Sequence, residues 1–379
     1  MPLGENFYRG RVAAIQAALA EESLAGILLL DAPNVIYASG FSHIASERPI
    51  GCYVPQAGAP VLFVPLLELE NAAACWIGDV RSYFEYPGEL HPVAWMLHEI
   101  GAGRIAIDSL SLGLAQRLET DCLPCDLVNR LRWVKQPEEI AQIEKAARYA
   151  DFCLESVLGG AGDIIRGGGT ELDILRACLG DTLAKMQVEI GEQFRLRGAA
   201  VVGTVHSGPR AALPHGSPMA RLPQIGEPLI AGIGASVAGY HAESGATFAV
   251  GDADDELMRA LQTADACRLA ATAALQVGAS CESVNQAALD VLRRGGYGDF
   301  IRHRIGHGMG IEGHESPWLA PGDNTILQEN MVFSNEPGIY RPGRDGIRLI
   351  DSMIVREGGA FVPSRFLSAH PPESRVLAL

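Results

Sequence analysis

The sequence predicts a chain of two domains, an α/β domain followed by an α+β domain. Its 379 residues exceed the usual length of a single domain. Short apolar strands alternate with helices in the first third, and two rounds of helices followed by β-rich segments fill the remainder. The pattern breaks near residues 131–137, so the predicted domains are 1–132 and 133–379.

The first domain opens with a predicted helix over residues 8–22. Val12, Ile15 and Leu19 recur at helical spacing and give this segment one apolar face. Short apolar runs that predict buried strands follow at 26–30, 60–65 and 104–107. Helices and strands that alternate in this way are typical of an α/β domain.

The second domain begins with a helix whose start is marked by Pro137, Glu138 and Glu139. Proline fits the first helical turn, and acidic side chains suit the positive end of the helix dipole. The glycine-rich segment 159–169 is predicted to be a flexible turn that ends this helix, and Thr170 to cap the next one. Further helices are predicted at 255–276 and 280–294, and β-rich segments at 198–205, 228–250 and 329–357.

Composition excludes several classes of partner. A formal net charge of −15 with no basic stripe argues against binding to nucleic acid or to anionic membranes. Eight scattered cysteines, with one isolated C-x-x-C at Cys122 and Cys125, form no zinc-ribbon pattern and predict a reduced, cytoplasmic protein. The N-terminal segment lacks the apolar core of a signal peptide, and no apolar run near it is long enough to span a bilayer.

Histidines and carboxylates able to carry chemistry lie in four segments after residue 200. These are 213–218, 238–247, 305–315 and 334–340. The third is the most distinctive, because four glycines strip side chains from around His307 and His314, and such a backbone lets a ligand or metal ion approach closely. The other three are weak signals individually, since a single histidine, or a glutamate before a turn, is usually structural.

Together these segments form a recognisable pattern. Gly-His-Gly-x-Gly at 306–310 is followed by a second histidine, seven residues after the first, and by Asn-Glu-Pro-Gly-Ile-Tyr at 335–340. Leu-Arg-x-x-Lys-x-x-x-Glu-Ile at 131–140 and Pro-His-Gly at 214–216 precede them. This order resembles the signature of the creatinase / Xaa-Pro peptidase family, which includes prolidase and aminopeptidase P. The resemblance implies a pita-bread fold for the C-terminal domain and a homodimer.

Peptidases of this family hold two divalent metal ions with two aspartates, one histidine and two glutamates. His307 and Glu336 match the histidine and the first glutamate, and Glu243 replaces one aspartate. The other aspartate is Gly232 and the last glutamate is Ile350, and neither side chain can coordinate a metal. Because a dinuclear centre needs carboxylates to balance its charge, we expect none to form. A single divalent ion on Glu243, His307 and Glu336 stays open as an alternative cofactor.

The resemblance also implies catalytic roles. Creatinase works without a metal, and His215 matches the segment that carries its general base and acid, a role that suits an imidazole near neutral pH. We expect Glu243, His307 and Glu336 to complete the catalytic set with His215, the two glutamates orienting the substrate.

Three further residues are expected to bind substrate. The second histidine of the family, His314 here, contacts substrate, and Arg348 belongs to the family's Gly-x-Arg-x-Glu segment. Ser46-Glu-Arg48-Pro-Ile resembles the Gly-Arg-Pro segment of creatinase, whose arginine reaches the partner subunit's site and binds a carboxylate. Arg48 is therefore expected to pair with a substrate carboxylate, and the alternative is an ordinary surface arginine.

The sequence leaves three functions open. The first is a hydrolase of a small carboxylated C–N substrate (an amide, amidine or dipeptide) without a dinuclear metal centre. The second is an Xaa-Pro metallopeptidase with one metal ion, and the third is a non-catalytic ligand-binding protein. Creatine is not favoured as the substrate, because a glutamate of creatinase falls at Gly245, and no residue pattern selects another compound.

Overall fold

The computed structural model of the protein describes residues 3–101, 105–118, 122–191 and 198–379. The chain divides into two compact units, Met1–Arg132 and Trp133–Leu379. None of the helices in the described ranges combines the length and the apolar character needed to cross a bilayer.

The first unit contains a mixed six-stranded sheet with helices packed on it. The helices up to residue 133 are α1 (Glu5–Glu21), α2 (Ala32–Ser39), α3 (Leu69–Ala72), α4 (Pro92–Ile100), α5 (Leu112–Leu118) and α6 (Leu127–Trp133). The strands are β1 (Gly26–Leu29), β2 (Gly51–Pro55), β3 (Val61–Pro65), β4 (Asp79–Tyr83), β5 (Ala106–Ile107) and β6 (Leu123–Pro124). Their order is β4-β3-β2-β1-β5-β6, and β2 runs antiparallel to both of its neighbours.

The predicted elements of this unit are largely confirmed. The helix expected at 8–22 is α1, which starts earlier, at Glu5, and the runs at 26–30 and 60–65 form β1 and β3. The run at 104–107 forms β5 from Ala106 onward, and its first residue lies outside the described residues. Apolar side chains from the sheet and α4 form the core, among them Leu28, Phe63, Met96 and Ile107.

The second unit is built from two helix pairs and two main sheets. Its helices are α7 (Pro137–Arg166), α8 (Glu171–Ile190), α9 (Asp255–Ala274), α10 (Cys281–Arg294) and α11 (Phe366–Ala369). Its strands are β7 (Ala200–Ser207), β8 (Pro228–Val237), β9 (Tyr240–Val250), β10 (Gly306–Gly308), β11 (Glu315–Leu319), β12 (Val332–Asn335), β13 (Gly338–Arg341), β14 (Asp345–Arg348), β15 (Asp351–Arg356), β16 (Gly359–Phe361) and β17 (Val376–Leu377).

The two main sheets meet where the candidate site lies. One has the order β17-β9-β8-β7, the other β11-β10-β12-β15-β16, and β13 pairs with β14 in a separate hairpin. The helix pair α7–α8 packs on the first sheet, and α9–α10 on the second. An antiparallel bridge between Gly245 and Ile350 joins β9 to the segment between β14 and β15. Residues from both sheets are thereby brought together around one centre.

The glycine-rich segment 159–169 was wrongly predicted to be a flexible turn. Helix α7 continues through it to Arg166, because Ala161 and Ile165 are buried and anchor its last turns. Gly162 lets the C-terminal segment come close, since a Cβ there would collide with the carbonyl oxygen of Ala378. The cap expected at Thr170 is confirmed: its amide donates to Asp173 Oδ2 at 2.9 Å in a capping box that starts α8.

Candidate active site

The centre of the site is built on strands of both sheets in the second unit. His307 lies on β10, Ser334 on the adjacent β12, and Glu243 on β9 of the other sheet. Glu243 is tied to β15 through Ser352, whose hydroxyl accepts from the Glu243 amide and donates to its carbonyl, both at 2.9 Å. Glu336 follows β12 directly, so four chemically active side chains converge from distant parts of the chain.

Glycines on both sides of His307 are required by the packing of β10. A Cβ at Gly306 would collide with the carbonyl oxygen of Ser334, and one at Gly308 would lie 2.7 Å from that of Glu315. The short strand therefore fits between β11 and β12 only when its flanking residues lack side chains. The result is a buried imidazole held at a fixed position.

His307 and the two glutamates form one polar cluster. His307 Nε2 lies 2.7 Å from Glu336 Oε1 and 3.9 Å from Glu243 Oε2. Ser334 Oγ lies between the carboxylates, 2.8 Å from Glu336 Oε1 and 3.1 Å from Glu243 Oε2. His307 Nδ1 lies 3.0 Å from the carbonyl oxygen of Gly308. Because that oxygen only accepts, Nδ1 is placed to donate. Nε2 has no hydrogen-bond partner among the described residues, but the carboxylate of Glu336 beside it favours an imidazolium through its charge.

The electrostatics of this cluster give the two carboxyl groups very different pKa values. Burial alone would raise the pKa of Glu336, but the contact with His307 outweighs it and holds that pKa well below its usual range. Burial and the charge of Glu336 raise the pKa of Glu243 to about 7. Burial would lower the pKa of His307, but Glu336 raises it above the ordinary value. At neutral pH, Glu336 is thus ionised, whereas Glu243 is poised to carry a proton.

A cavity of about 450 Å³ opens beside this cluster. Its lining includes His215, His307, His314, Glu336 and Arg348. His314 stacks on His307 with ring centroids 3.7 Å apart, and burial together with the charge of His307 lowers the pKa of His314. His215 is exposed, on a turn after the short 3₁₀ helix Gly208–Ala212. The cavity therefore brings together five of the residues to which the sequence assigned a role.

Arg348 occupies space beside Gly232. Its Nη1 donates to the carbonyl oxygen of Pro214 at 2.7 Å, which fixes the turn that carries His215. Its backbone amide donates to Thr247 Oγ1 at 2.9 Å. A Cβ on Gly232 would lie 2.5 Å from Arg348 Nη2, so any longer side chain there would displace the guanidinium.

Ile350 fills the neighbouring space. Gly232 and Gly245 are cross-strand partners on β8 and β9, and Ile350 packs over both. A Cβ on Gly245 would lie 2.6 Å from Ile350 Cγ1, and one on Gly232 would lie 3.5 Å from its Cδ1. An apolar side chain therefore covers this end of the polar cluster.

His303 is a feature of the site that the sequence argument missed. It lines the cavity, and its Nε2 lies 2.8 Å from Tyr340 Oη, while its Nδ1 lies 2.7 Å from the carbonyl oxygen of Arg304. Burial lowers the pKa of His303 and raises that of Tyr340. The available signal was a third histidine four residues before His307, next to the glycine-rich segment.

Comparison with known proteins identifies the family. The profile of Metallopeptidase family M24 matches residues 141–357, which is more than half of the chain. The chain belongs to the M24 metallopeptidase family. The profile of the Creatinase/Prolidase N-terminal domain matches residues 11–140. The predicted fold class, an α/β domain followed by a pita-bread domain, is confirmed, and the M24 family places the chain among hydrolases that act on C–N bonds.

Relatives of the M24 family match along most of the chain. A probable dipeptidase PepE of Mycobacterium tuberculosis is 32% identical over 365 residues, 93% of either protein. An Xaa-Pro dipeptidase of Lactobacillus helveticus is 31% identical over 341 residues, which cover 86% of this chain and 89% of the relative. The crystal structure of dipeptidase PepE from Mycobacterium ulcerans aligns with a TM-score of 0.85 at 28% identity and covers 99% of both chains.

The five-ligand metal set implied by the resemblance does not fit this M24 chain. Glycine and isoleucine stand at two ligand positions, and the guanidinium of Arg348 and the side chain of Ile350 take up space beside Gly232. Without carboxylates at these two positions, the remaining side chains cannot balance the charge of two divalent ions. Glu243, His307 and His314 nevertheless present ligand atoms that all lie within 4.8 Å of one another, a set that could hold one ion. This set contains His314 where the sequence suggested Glu336.

Arg48 lies in the first unit, where two carboxylates already engage it. Its Nε lies 2.7 Å from Glu85 Oε1 and its Nη2 3.2 Å from Glu85 Oε2, and Glu47 contacts its Nη1. The side chain is 31% exposed. To bind a substrate carboxylate, Arg48 would have to exchange Glu85 for the ligand. Its assigned role therefore stays a prediction.

Proposed function

We propose that this M24 chain hydrolyses a small carboxylated C–N compound, an amide, amidine or dipeptide, without a dinuclear metal centre. The observation that carries the proposal is the cavity that joins His215, the Glu336–His307 pair and Arg348, beside space that Ile350 and Arg348 fill in place of two metal ligands. The dipeptidase names of the relatives support a peptide-like C–N bond.

His215 is the proposed proton carrier. Its imidazole takes a proton from water while the water oxygen attacks the carbon of the C–N bond. The same proton then passes to the leaving nitrogen, so that the bond breaks without an unstable anionic leaving group. An exposed histidine at the cavity edge can exchange protons with solvent between turnovers.

The buried cluster holds the fixed charges of the site. Glu336 stays ionised against His307, and Arg348 contributes a positive charge that suits a substrate carboxylate. The pKa of Glu243, raised to about 7, lets this carboxyl group take up a proton, which limits repulsion between the two carboxyl groups. The cluster is thus preorganised, and its role is to orient the substrate and the attacking water.

The test is an activity screen with matched variants. Purified protein is assayed on Xaa-Pro dipeptides, N-acyl amino acids, creatine and ectoine, before and after metal removal. His215→Ala should lower kcat about 10²–10⁴-fold, whereas His98→Ala, a matched control in the first unit, should leave it unchanged. Full turnover by the His215 variant would refute the mechanism. A correctly folded protein without activity on any compound would favour the ligand-binding alternative.

A peptidase with one metal ion is the second candidate, because Glu243, His307 and His314 lie close enough to share an ion. Plasma mass spectrometry separates the two candidates. We expect less than about one tightly bound divalent ion per chain and activity that survives chelation. One equivalent whose removal abolishes activity would establish the second candidate, and two equivalents would contradict both.

We also propose a cytoplasmic homodimer. Two large apolar side chains close in sequence to the Arg48–Glu85 pair, Ile44 and Phe84, are 68% and 83% exposed in the single chain, as expected for an interface. The eight cysteines are free, which suits a reducing compartment. Sedimentation of the wild type and of Phe84→Ser tests the dimer, and a monomeric wild type would refute it. Cell fractionation tests the location.

A further inference from the structure

Three arginines line the same cavity, and each is held by neutral groups. Arg302 Nη1 donates to the carbonyl oxygens of Asp299 and Ile301 at 2.6 and 3.1 Å. Arg304 Nε donates to the carbonyl oxygen of Gly306 at 3.0 Å, and its guanidinium lies 4.5 Å from the centroid of the Trp318 ring. Arg348 bonds Pro214, as described above. Within the described ranges, none of the three pairs with a carboxylate of the chain.

The carboxylates near the cavity contact groups other than these three arginines. Glu336 lies against His307, and Glu243 Oε2 lies 3.1 Å from Ser334 Oγ. Asp323, which shares an adjoining cavity with Arg304, accepts from the backbone amides of Trp318 and Thr325 at 2.7 and 3.0 Å. The cavity therefore has an excess of positive charge from side chains that are already positioned, although the chain as a whole carries −15.

The arginines differ in depth. Arg348 is buried, with 8% of its surface exposed, and its Nε has no hydrogen-bond partner among the described residues. Arg304 is half-buried and Arg302 is exposed. A buried guanidinium with an unused donor is stabilised by a carboxylate that can reach it, and the outer pair can bind a second anion at the mouth. The charge thus extends from the base of the cavity to its opening.

We propose that the substrate carries a carboxylate on each side of the scissile C–N bond and no free ammonium group. One carboxylate pairs with Arg348, and the second pairs with Arg304 and Arg302. Free dipeptides are disfavoured, because their ammonium would face two guanidiniums. This inference rests on the proposed function for the position of the bond, and its new element is the second anion site. N-Succinylglycine has this chemistry: water would convert it to succinate and glycine.

Two probes that differ by one carboxylate test the inference by equilibrium binding. Titration calorimetry compares N-succinylglycine with N-butyrylglycine on the wild type. We expect the succinyl compound to bind at least about tenfold more tightly than the butyryl compound, because its extra carboxylate forms one charge-assisted hydrogen-bonded pair. In Arg302→Gln/Arg304→Gln the ratio should fall to about one while the affinity for the butyryl compound is retained. Arg293→Gln/Arg294→Gln, which removes the same two positive charges from exposed positions on α10, should keep the wild-type ratio.

The outcomes separate this inference from the proposed function. Equal affinity for the two probes on the wild type, or binding of neither probe, would overturn the second anion site. A preference that persists in the double variant would overturn its assignment to Arg302 and Arg304. Release of glycine is measured separately: selective binding without glycine release would count against hydrolysis and leave the anion site standing.

Discussion

The buried ion pair between Lys135 and Glu315 should support the site structurally. Lys135 Nζ lies 2.8 Å from Glu315 Oε1, and the two side chains are 2% and 6% exposed. Glu315 starts β11, which pairs with the strand that carries His307. Lys135→Met would leave a buried carboxylate without its cation, which costs about 3–5 kcal/mol. For a unit of this size we expect the melting temperature to fall by roughly 10 °C.

Two further variants make the experiment specific. Lys185→Met breaks an ion pair of similar length, 2.7 Å to Glu189, but with side chains 38% and 46% exposed. It should therefore cost less than about 1 kcal/mol. Lys135→Met/Glu315→Leu removes both buried charges and should recover most of the loss. Urea unfolding followed by tryptophan fluorescence measures all three.

Either of two results would contradict the stabilising role of this ion pair. Lys135→Met could prove no more destabilising than Lys185→Met, or the double variant no more stable than Lys135→Met alone. Gly310 packs against this ion pair and has to lack a side chain, because a Cβ there would lie 2.7 Å from Glu315 Oε1 and 2.9 Å from Lys135 Cε. The lysine of the 131–140 motif and the glycines of 306–313 are thus parts of one packing arrangement.

Two further predictions concern stability. Burial raises the pKa of Asp108 from 3.8 to about 6, so the folded state favours its proton and stability should fall by roughly 3 kcal/mol as pH rises from about 4 to 6. Asp108→Asn should flatten that slope in a pH series of melting curves, and an unchanged slope would contradict the assignment. Gly160→Ala, which meets open space within α7, should stabilise the protein by up to about 1 kcal/mol, whereas Gly162→Ala should destabilise it by collision with Ala378. Equal effects of the two substitutions on urea midpoints would contradict the close approach.

Short sequence patterns predicted that the helices exist, and where they start, better than they predicted where the helices end. Pro137 and Thr170 mark the starts of α7 and α8, because capping depends on a few adjacent residues. The end of α7 was mispredicted because Gly162 serves a contact with Ala378, more than 200 residues away in the chain. The sequence does not distinguish a glycine that ends a helix from a glycine within a helix that lets another segment of the chain pack closely.

The same limit applies to the site. Glycines and histidines around His307 and the Asn-Glu-Pro-Gly sequence pointed to the residues that meet in the cavity, since each motif is local. The guanidinium beside Gly232, the contact of His303 with Tyr340 and the excess of arginines depend on chain segments that only folding brings together. The spacing of residues in the sequence therefore does not predict these contacts.

The residues at the two positions without a metal ligand, Gly232 and Ile350, are physically coupled. Gly232 and Gly245 face each other across β8 and β9, and Ile350 needs both to be small in order to pack over them. An aspartate at position 232 would displace Arg348 Nη2, because even a Cβ there lies 2.5 Å from that atom. Gly232→Asp alone therefore disturbs the packing without completing a ligand set. The two glycines, Ile350 and the guanidinium of Arg348 thus form one close-packed arrangement, in which a larger side chain at either glycine requires a neighbour to move.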